Sequence, residues 1–158
     1  MTSLKTRLSL FLAVLLALPV AAGPAAAQSD PVLPYWASIS VDEARMRKGP
    51  SPDVPVIWEY RRRDLPVKVI ARHENWRKVE DPDGTQGWMA ARLLSRTRTA
   101  IVTGEIRAMR TSADAAAPIA YRAEPGVVGR ITNCRPGWCL FDVKGRRGWV
   151  ETDHIWGD

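Results

Sequence analysis

The strongest constraint on the fold is that the chain carries one pattern twice. The frame Gly84-Thr85-Gln86-Gly87-Trp88 returns as Gly145-Arg146-Arg147-Gly148-Trp149, a G-x-x-G-W in both places. Met46-Arg47 returns as Met109-Arg110, Trp76 as Trp138, and Leu93 as Ile155. The run Leu65-Pro66-Val67-Lys68-Val69 returns in pattern as Val127-Val128-Gly129-Arg130-Ile131. The matches keep their order at a period of about 62 residues, as a duplicated structural unit would leave them. Chance supplies one such match; it does not readily supply the whole ordered set.

Each copy reads as β-structure. Leu65, Val67, Val69 and Ala71 alternate with Pro66, Lys68, Ile70 and Arg72, the period of two that a half-buried strand requires. Asp81-Pro82-Asp83-Gly84 is a turn, because Pro presets φ and Gly accepts positive φ, so Trp76 to Glu80 and Gln86 to Met89 form a hairpin. Ala91 to Leu94 is expected to be a single helical turn. In the second copy, Val127 to Cys134 and Trp138 to Val143 are strands around Arg135-Pro136-Gly137, and Lys144-Gly145 turns the chain into Gly148 to Val150. Twelve Pro and eleven Gly exclude a bundle of long helices. The expected fold is all-β, two small barrels in tandem. A unit this small buries only about 60% of its unfolded surface and is marginal alone, so the two barrels are expected to pack on each other. The seven Trp of the chain supply large apolar area for that purpose.

Residues 1–27 read as a secretory leader: Lys5 and Arg7, an apolar run from Leu8 to Leu18, then Ala25-Ala26-Ala27 as an A-x-A cleavage site. The apolar run is short of the roughly 20 residues of a transmembrane helix, which argues against the alternative of a membrane anchor. The expected organisation is a signal peptide at 1–27, an N-terminal linker at 28–35, barrel 1 at 36–95, a linker at 96–99 and barrel 2 at 100–158. The mature protein is expected to be exported, periplasmic or secreted, without an integral membrane segment. Loss of Lys5 and Arg7 lowers the net charge from +6 to +4, too mild a bias to argue for nucleic acid.

Export bears on Cys134 and Cys139. They flank the turn Arg135 to Trp138, and an oxidising compartment makes a disulfide across that hairpin the expected state. The alternative, a redox or catalytic thiol, lacks the C-x-x-C spacing and a βαβ context. Two Cys and the two histidines, His73 and His154, do not have the spacing of a zinc site, and Gly84-x-x-Gly87 and Gly145-x-x-Gly148 lead into strands rather than phosphate-binding helix N-termini. No metal and no cofactor are expected, and no catalytic set emerges.

The aromatic residues are the remaining candidates. Trp88 and Trp149 are expected to cap the barrel cores. Trp58 and Tyr60 share one face of a strand and are followed by Arg61, Arg62 and Arg63; a flat ring beside cations suits an anionic polymer or a carboxylated peptide. A solvated loop tip is the alternative reading of the triplet. Trp76 and Trp138 follow turns, near a loop mouth, where either could floor a groove beside Tyr60 or Tyr121. Packing is the competing role for both.

Ala44-Arg45-Met46-Arg47-Lys48-Gly49-Pro50 resembles the N-V-R-x-G-P opening of bacterial SH3-like (SH3b) domains. Asn75 to Val79 and Gly84 to Met89 follow the rest of that pattern. The second copy is similar but lacks the G-P pair after Met109-Arg110, while Gly137-Trp138, Gly145 to Val150 and Trp156-Gly157 fit. The whole of residues 36–158 looks like the exported two-domain SH3-like proteins of Gram-negative-type bacteria. The resemblance implies a binding or targeting module of the cell envelope, not an enzyme, whose partner would be the stem peptide of peptidoglycan or a peptide from an envelope protein. A periplasmic scaffold without cell-wall contact is the alternative; a wall hydrolase is the third.

Overall fold

The structure, a computed structural model, describes residues 30–158. The leader at 1–27 therefore lies outside the described residues. From Pro31 onward the chain forms one compact unit, built from fourteen strands. In the first half these are β1 (Tyr35–Ile39), β2 (Ala44–Arg47), β3 (Val56–Tyr60), β4 (Pro66–His73), β5 (Trp76–Glu80), β6 (Gln86–Ala90) and β7 (Leu94–Ser95). In the second half they are β8 (Thr99–Val102), β9 (Arg107–Arg110), β10 (Ile119–Ala123), β11 (Val128–Arg135), β12 (Trp138–Val143), β13 (Arg146–Glu151) and β14 (Ile155–Trp156). One turn of 3-10 helix, Ala91–Leu93 and Thr152–His154, precedes the last strand of each half.

The first sheet runs β3-β2-β6-β5-β4-β1-β7 and the second β10-β9-β13-β12-β11-β8-β14. Adding seven to each label of the first gives the second, so the sequence repeat is a repeat of topology. The fold is all-β with two tandem SH3-like sheets.

Alternation sorts each strand into a core side and an outer side. On β4, Val67 and Val69 are buried while Lys68 between them is not; on β2, Ala44 and Met46 are buried while Arg45 is exposed. The first core gathers Ile39, Met46, Val67, Val69, Val79 and Met89; the second gathers Val102, Met109, Ile131, Phe141 and Val150.

The G-x-x-G-W frame has a different logic from the one expected. Its first glycine turns the chain: Gly84 has φ +83° and Gly145 has φ +91°. Its second glycine faces the core and makes room for the crossing strand. A Cβ on Gly87 would lie 2.4 Å from Met46 Cγ, and one on Gly148 would lie 2.6 Å from Met109 Cβ. The tryptophan that follows must then point outward. Trp88 and Trp149 are half-buried on the outer face, and Met89 and Val150 hold the core positions expected for them. The guanidinium of Arg135 covers the Trp149 ring at 5.0 Å.

The two halves are in contact. Ile101, Val128 and Trp156 of the second half pack against the first core. Arg62 donates a hydrogen bond to the carbonyl of Gly126. The connecting segment is held as well, because Arg98 donates to the Gly157 carbonyl at 3.1 Å.

Candidate functional site

A groove of about 620 Å³ opens on the first barrel. Three stretches distant in sequence meet there. The outward residues of β2 supply Arg45 and Arg47. The loop between β2 and β3 supplies Pro52, and it is clasped to β2 by Arg47, whose Nη1 donates to the Val54 carbonyl at 2.7 Å. The third stretch is the hairpin end at Asn75-Trp76, tied to the 3-10 turn by the Ala91 amide donating to the Asn75 carbonyl at 2.7 Å. Trp76 is paired with Ala90 across the sheet, which fixes its ring beside Arg92 and Leu93 of that turn.

The charges along the groove are three arginines and one carboxylate, Glu43. Arg45 is neutralised by Glu43 at 3.1 Å and Glu59 at 3.3 Å. Glu59 is held below the usual carboxylate range by hydrogen bonds from Arg61 and Arg45. Arg47 donates only to a neutral carbonyl, and Arg92 makes no ion pair or hydrogen bond among the described residues. The arrangement offers a half-buried indole with two uncompensated guanidinium groups, which suits a carboxylate carried on an apolar or planar stem.

The structure scatters the other candidates. Trp58 is exposed, with its ring 6.4 Å from Tyr60. Tyr60 turns to the core beside its cross-strand partner Ala44, whereas next to the bulge at Met46/Arg47 it is Ile57, not Trp58, that packs against the core. Tyr60 is consequently only 6% exposed, and its hydroxyl donates to Asp81 Oδ2 at 2.7 Å. Asp81 also accepts the amides of Asp83 and Thr85, so Tyr60 braces a turn rather than facing a ligand. Burial, and then Asp81, push the Tyr60 phenol far above its ordinary value. Arg61 pairs with Glu59 at 2.9 Å, Arg63 with Asp42 at 3.1 Å, and Arg62 reaches the second barrel.

Tyr121 in the second barrel donates to the carbonyls of Arg146 and Phe141 and lies under the Arg146 guanidinium at 4.9 Å. Burial, then the Asp142 charge, push its phenol up to about 12. Trp138 is half-buried beside the hairpin end, where Cys134 and Cys139 form a disulfide with an S–S distance of 2.00 Å. Those sulfurs and the Asp158 carboxylate lie close together, but the sulfurs are spent on each other and offer no thiolate to a metal.

Trp76 is thus the sequence candidate that lines the groove. Arg45, Arg47, Arg92, Glu43 and Pro52 join it and were not singled out beforehand. The repeat bears on one of them: Arg92, at the centre of the first 3-10 turn, corresponds to Asp153 at the centre of the second, a register that sets Leu94 rather than Leu93 against Ile155. Arg45 corresponds to Ala108, while Arg47 corresponds to Arg110. Arg47, the clasp, is kept between the copies, and the charges at the other two positions are not.

The family described as bacterial SH3 domain matches residues 40–96 and again residues 103–157. The chain belongs to the bacterial SH3 domain family. A search of curated proteins returns no significant match. Among solved structures, this tandem SH3 chain is similar to NlpC2 from Trichomonas vaginalis, with 12% identity, 79% of this chain and 48% of that one covered, and a TM-score of 0.37. NlpC1 from the same organism gives 12% identity, 82% and 48% coverage and a TM-score of 0.38. An NlpC/P60 family protein from Bacillus cereus ATCC 10987 gives 12% identity, 77% and 55% coverage and a TM-score of 0.35. The tandem SH3 chain spans about half the length of these structures. No helix among its described residues is long and apolar enough to cross a membrane.

Proposed function

We propose that this tandem bacterial SH3 chain is an exported, non-catalytic binding module of the cell envelope, with its two barrels at 36–95 and 100–158. Its ligand is a peptide bearing a free carboxylate: the stem peptide of peptidoglycan or a peptide of an envelope protein. The observation that carries this reading is the groove of the first barrel, which Trp76 lines together with Arg47 and with Arg92, a residue without an ion pair among the described residues. The bound disulfide supports an oxidising compartment. The membership of both halves in a binding-domain family supports recognition rather than chemistry.

The test is cosedimentation with purified sacculi at low salt, followed by titration of soluble stem peptides against tryptophan fluorescence. Cosedimentation that falls about tenfold in Arg92→Ala and Trp76→Ala is expected, the magnitude of losing one charge-assisted contact. Failure of the protein to cosediment removes the cell-wall ligand; a specific protein band captured from envelope extract by the wild type and lost in both variants then identifies the protein-peptide version. Clearing in a zymogram by the protein alone would overturn the non-catalytic reading.

A further inference from the structure

A second cleft, of about 560 Å³, lies between the barrels and is distinct from the Trp76 groove. One wall is the loop after β3, with Arg62, Arg63 and Asp64. The other wall is β11 and the β12–β13 hairpin, with Arg130, Asp142 and Lys144. It contains no aromatic ring. Four cations and two carboxylates line it, an excess of two positive charges.

The local ion pairs do not absorb that excess. Asp142 is committed elsewhere: it accepts Arg147 Nε at 3.0 Å and the Gly145 amide at 2.6 Å. Arg130 lies across the strand from Asp142 and acts on its carboxylate through space, but neither Arg130 nor Lys144 makes an ion pair within 4 Å among the described residues. Arg62 donates to the neutral Gly126 carbonyl, which fixes its position and leaves its charge. Arg63 spends its charge on Asp42, an almost fully exposed partner. Lys144 and Gly145 both have positive φ, the geometry of a tight two-residue hairpin, which carries the lysine stem on a rigid tip. The walls come from different barrels whose contact is packed, so the cleft is present before any ligand arrives.

We infer that the inter-barrel cleft binds a phosphate-bearing ligand carrying at least two negative charges, through Arg62, Arg130 and Lys144. A single carboxylate would neutralise half of the excess. A diphosphate or a cluster of phosphate headgroups matches it and offers several acceptor oxygens to guanidinium and ammonium donors approaching from two sides. The same chemistry can come from a soluble phosphate ester or from an anionic lipid surface.

The probe is inorganic pyrophosphate, titrated calorimetrically into the intact mature protein at low ionic strength, where surface charges are least screened. Binding is expected, and the variant Arg130→Gln with Lys144→Asn should weaken it roughly tenfold or more. Asn is chosen at 144 because it tolerates positive φ. A control with the same loss of charge elsewhere, Lys48→Gln with Arg122→Gln, should bind as the wild type does. Absence of pyrophosphate binding, equal weakening in both double variants, or acetate binding as tightly as pyrophosphate would each overturn the assignment. Flotation with phosphatidylglycerol vesicles, against phosphatidylcholine, separates the sources. Capture that pyrophosphate competes away identifies headgroups; pyrophosphate binding without capture identifies a soluble phosphate. None of these readouts involves the Trp76 groove, so this site and the peptide site stand or fall separately.

Discussion

Trp36 on β1 and Trp156 on β14 meet edge to face, with ring centroids 4.6 Å apart and planes inclined by 80°. One belongs to each half of the chain, and Trp156 packs against the first core although it is encoded at the end of the second. The Lys68 ammonium lies over the Trp36 ring at 5.6 Å, a cation–π contact on the same pair. Two barrels that are marginal alone share apolar surface at this point.

Trp156→Ala should therefore cost about 3 kcal/mol, the low end for a large aromatic truncated to Ala, since the ring is only half-buried. The loss should fall on the first barrel as well as the second. Denaturant unfolding followed by hydrogen exchange will show both halves losing protection; a loss confined to residues after Thr99 would contradict the shared packing.

Gly148→Ala should destabilise by about 1–3 kcal/mol, because the new methyl meets Met109 Cβ at 2.6 Å and the Met109 carbonyl carbon at 3.1 Å, neither of which can swing aside. Gly137→Ala, where nothing lies within 4 Å of the added methyl, should cost about 1 kcal/mol through its φ of +78° alone. Thermal unfolding of the two variants side by side tests the order.

The disulfide closes a short loop, with a sequence separation of 5 between Cys134 and Cys139. Its removal by Cys134→Ser with Cys139→Ser should cost about 2 kcal/mol, the low end of the usual range. A thiol count on the purified protein should find none free without reductant and two after reduction under denaturing conditions.

Alkaline and acid limits follow from the two ends of the titration range. The phenols of Tyr60 and Tyr121 have native values above the ordinary 10.0. The unfolded chain gives up these protons first, so their contribution is complete below pH 10 and is lost as pH rises beyond it. Tyr121→Phe should flatten the fall in melting temperature above pH 10. Asp142 is the opposite case: the Gly145 amide, then Arg147, hold it below its ordinary 3.8. Its contribution is present above that value and is lost as pH falls through the lower native value, so Asp142→Asn should reduce the slope of the acid limb. Stability measured by thermal scans across both limbs checks each sign.

The fold could be read from the sequence because period-two alternation and turn chemistry are local signals. Val67 and Val69 face the core as their spacing requires, and Gly84 turns where Pro82-Asp83 prepare it. The direction of Trp88 could not be read in the same way. It depends on Gly87 facing Met46 across the barrel, a contact between residues far apart in the chain. The groove was less accessible still. Trp76 announces a loop mouth, but Arg47 and Arg92 become its neighbours only when β2 and the 3-10 turn are brought together by the sheet. Trp58 and Tyr60 have the spacing of one face, yet alternation alone does not say which residues reach the core. The sheet buries Tyr60 beside Ala44 and leaves Trp58, next to the bulge, in solvent.

Arg47 bonds the Val54 carbonyl and Arg110 bonds the Ala117 carbonyl, both at 2.7 Å and both seven residues ahead. Each half thus fastens its long loop with the same side chain, independently of the charges displayed around it. The clasp is the same in both copies while the charges near it differ: Arg92 stands where the second copy has Asp153, and Arg45 where it has Ala108. Exchanging Arg92 with Asp153 between the copies should reverse the charge at both 3-10 turns while leaving both frameworks standing.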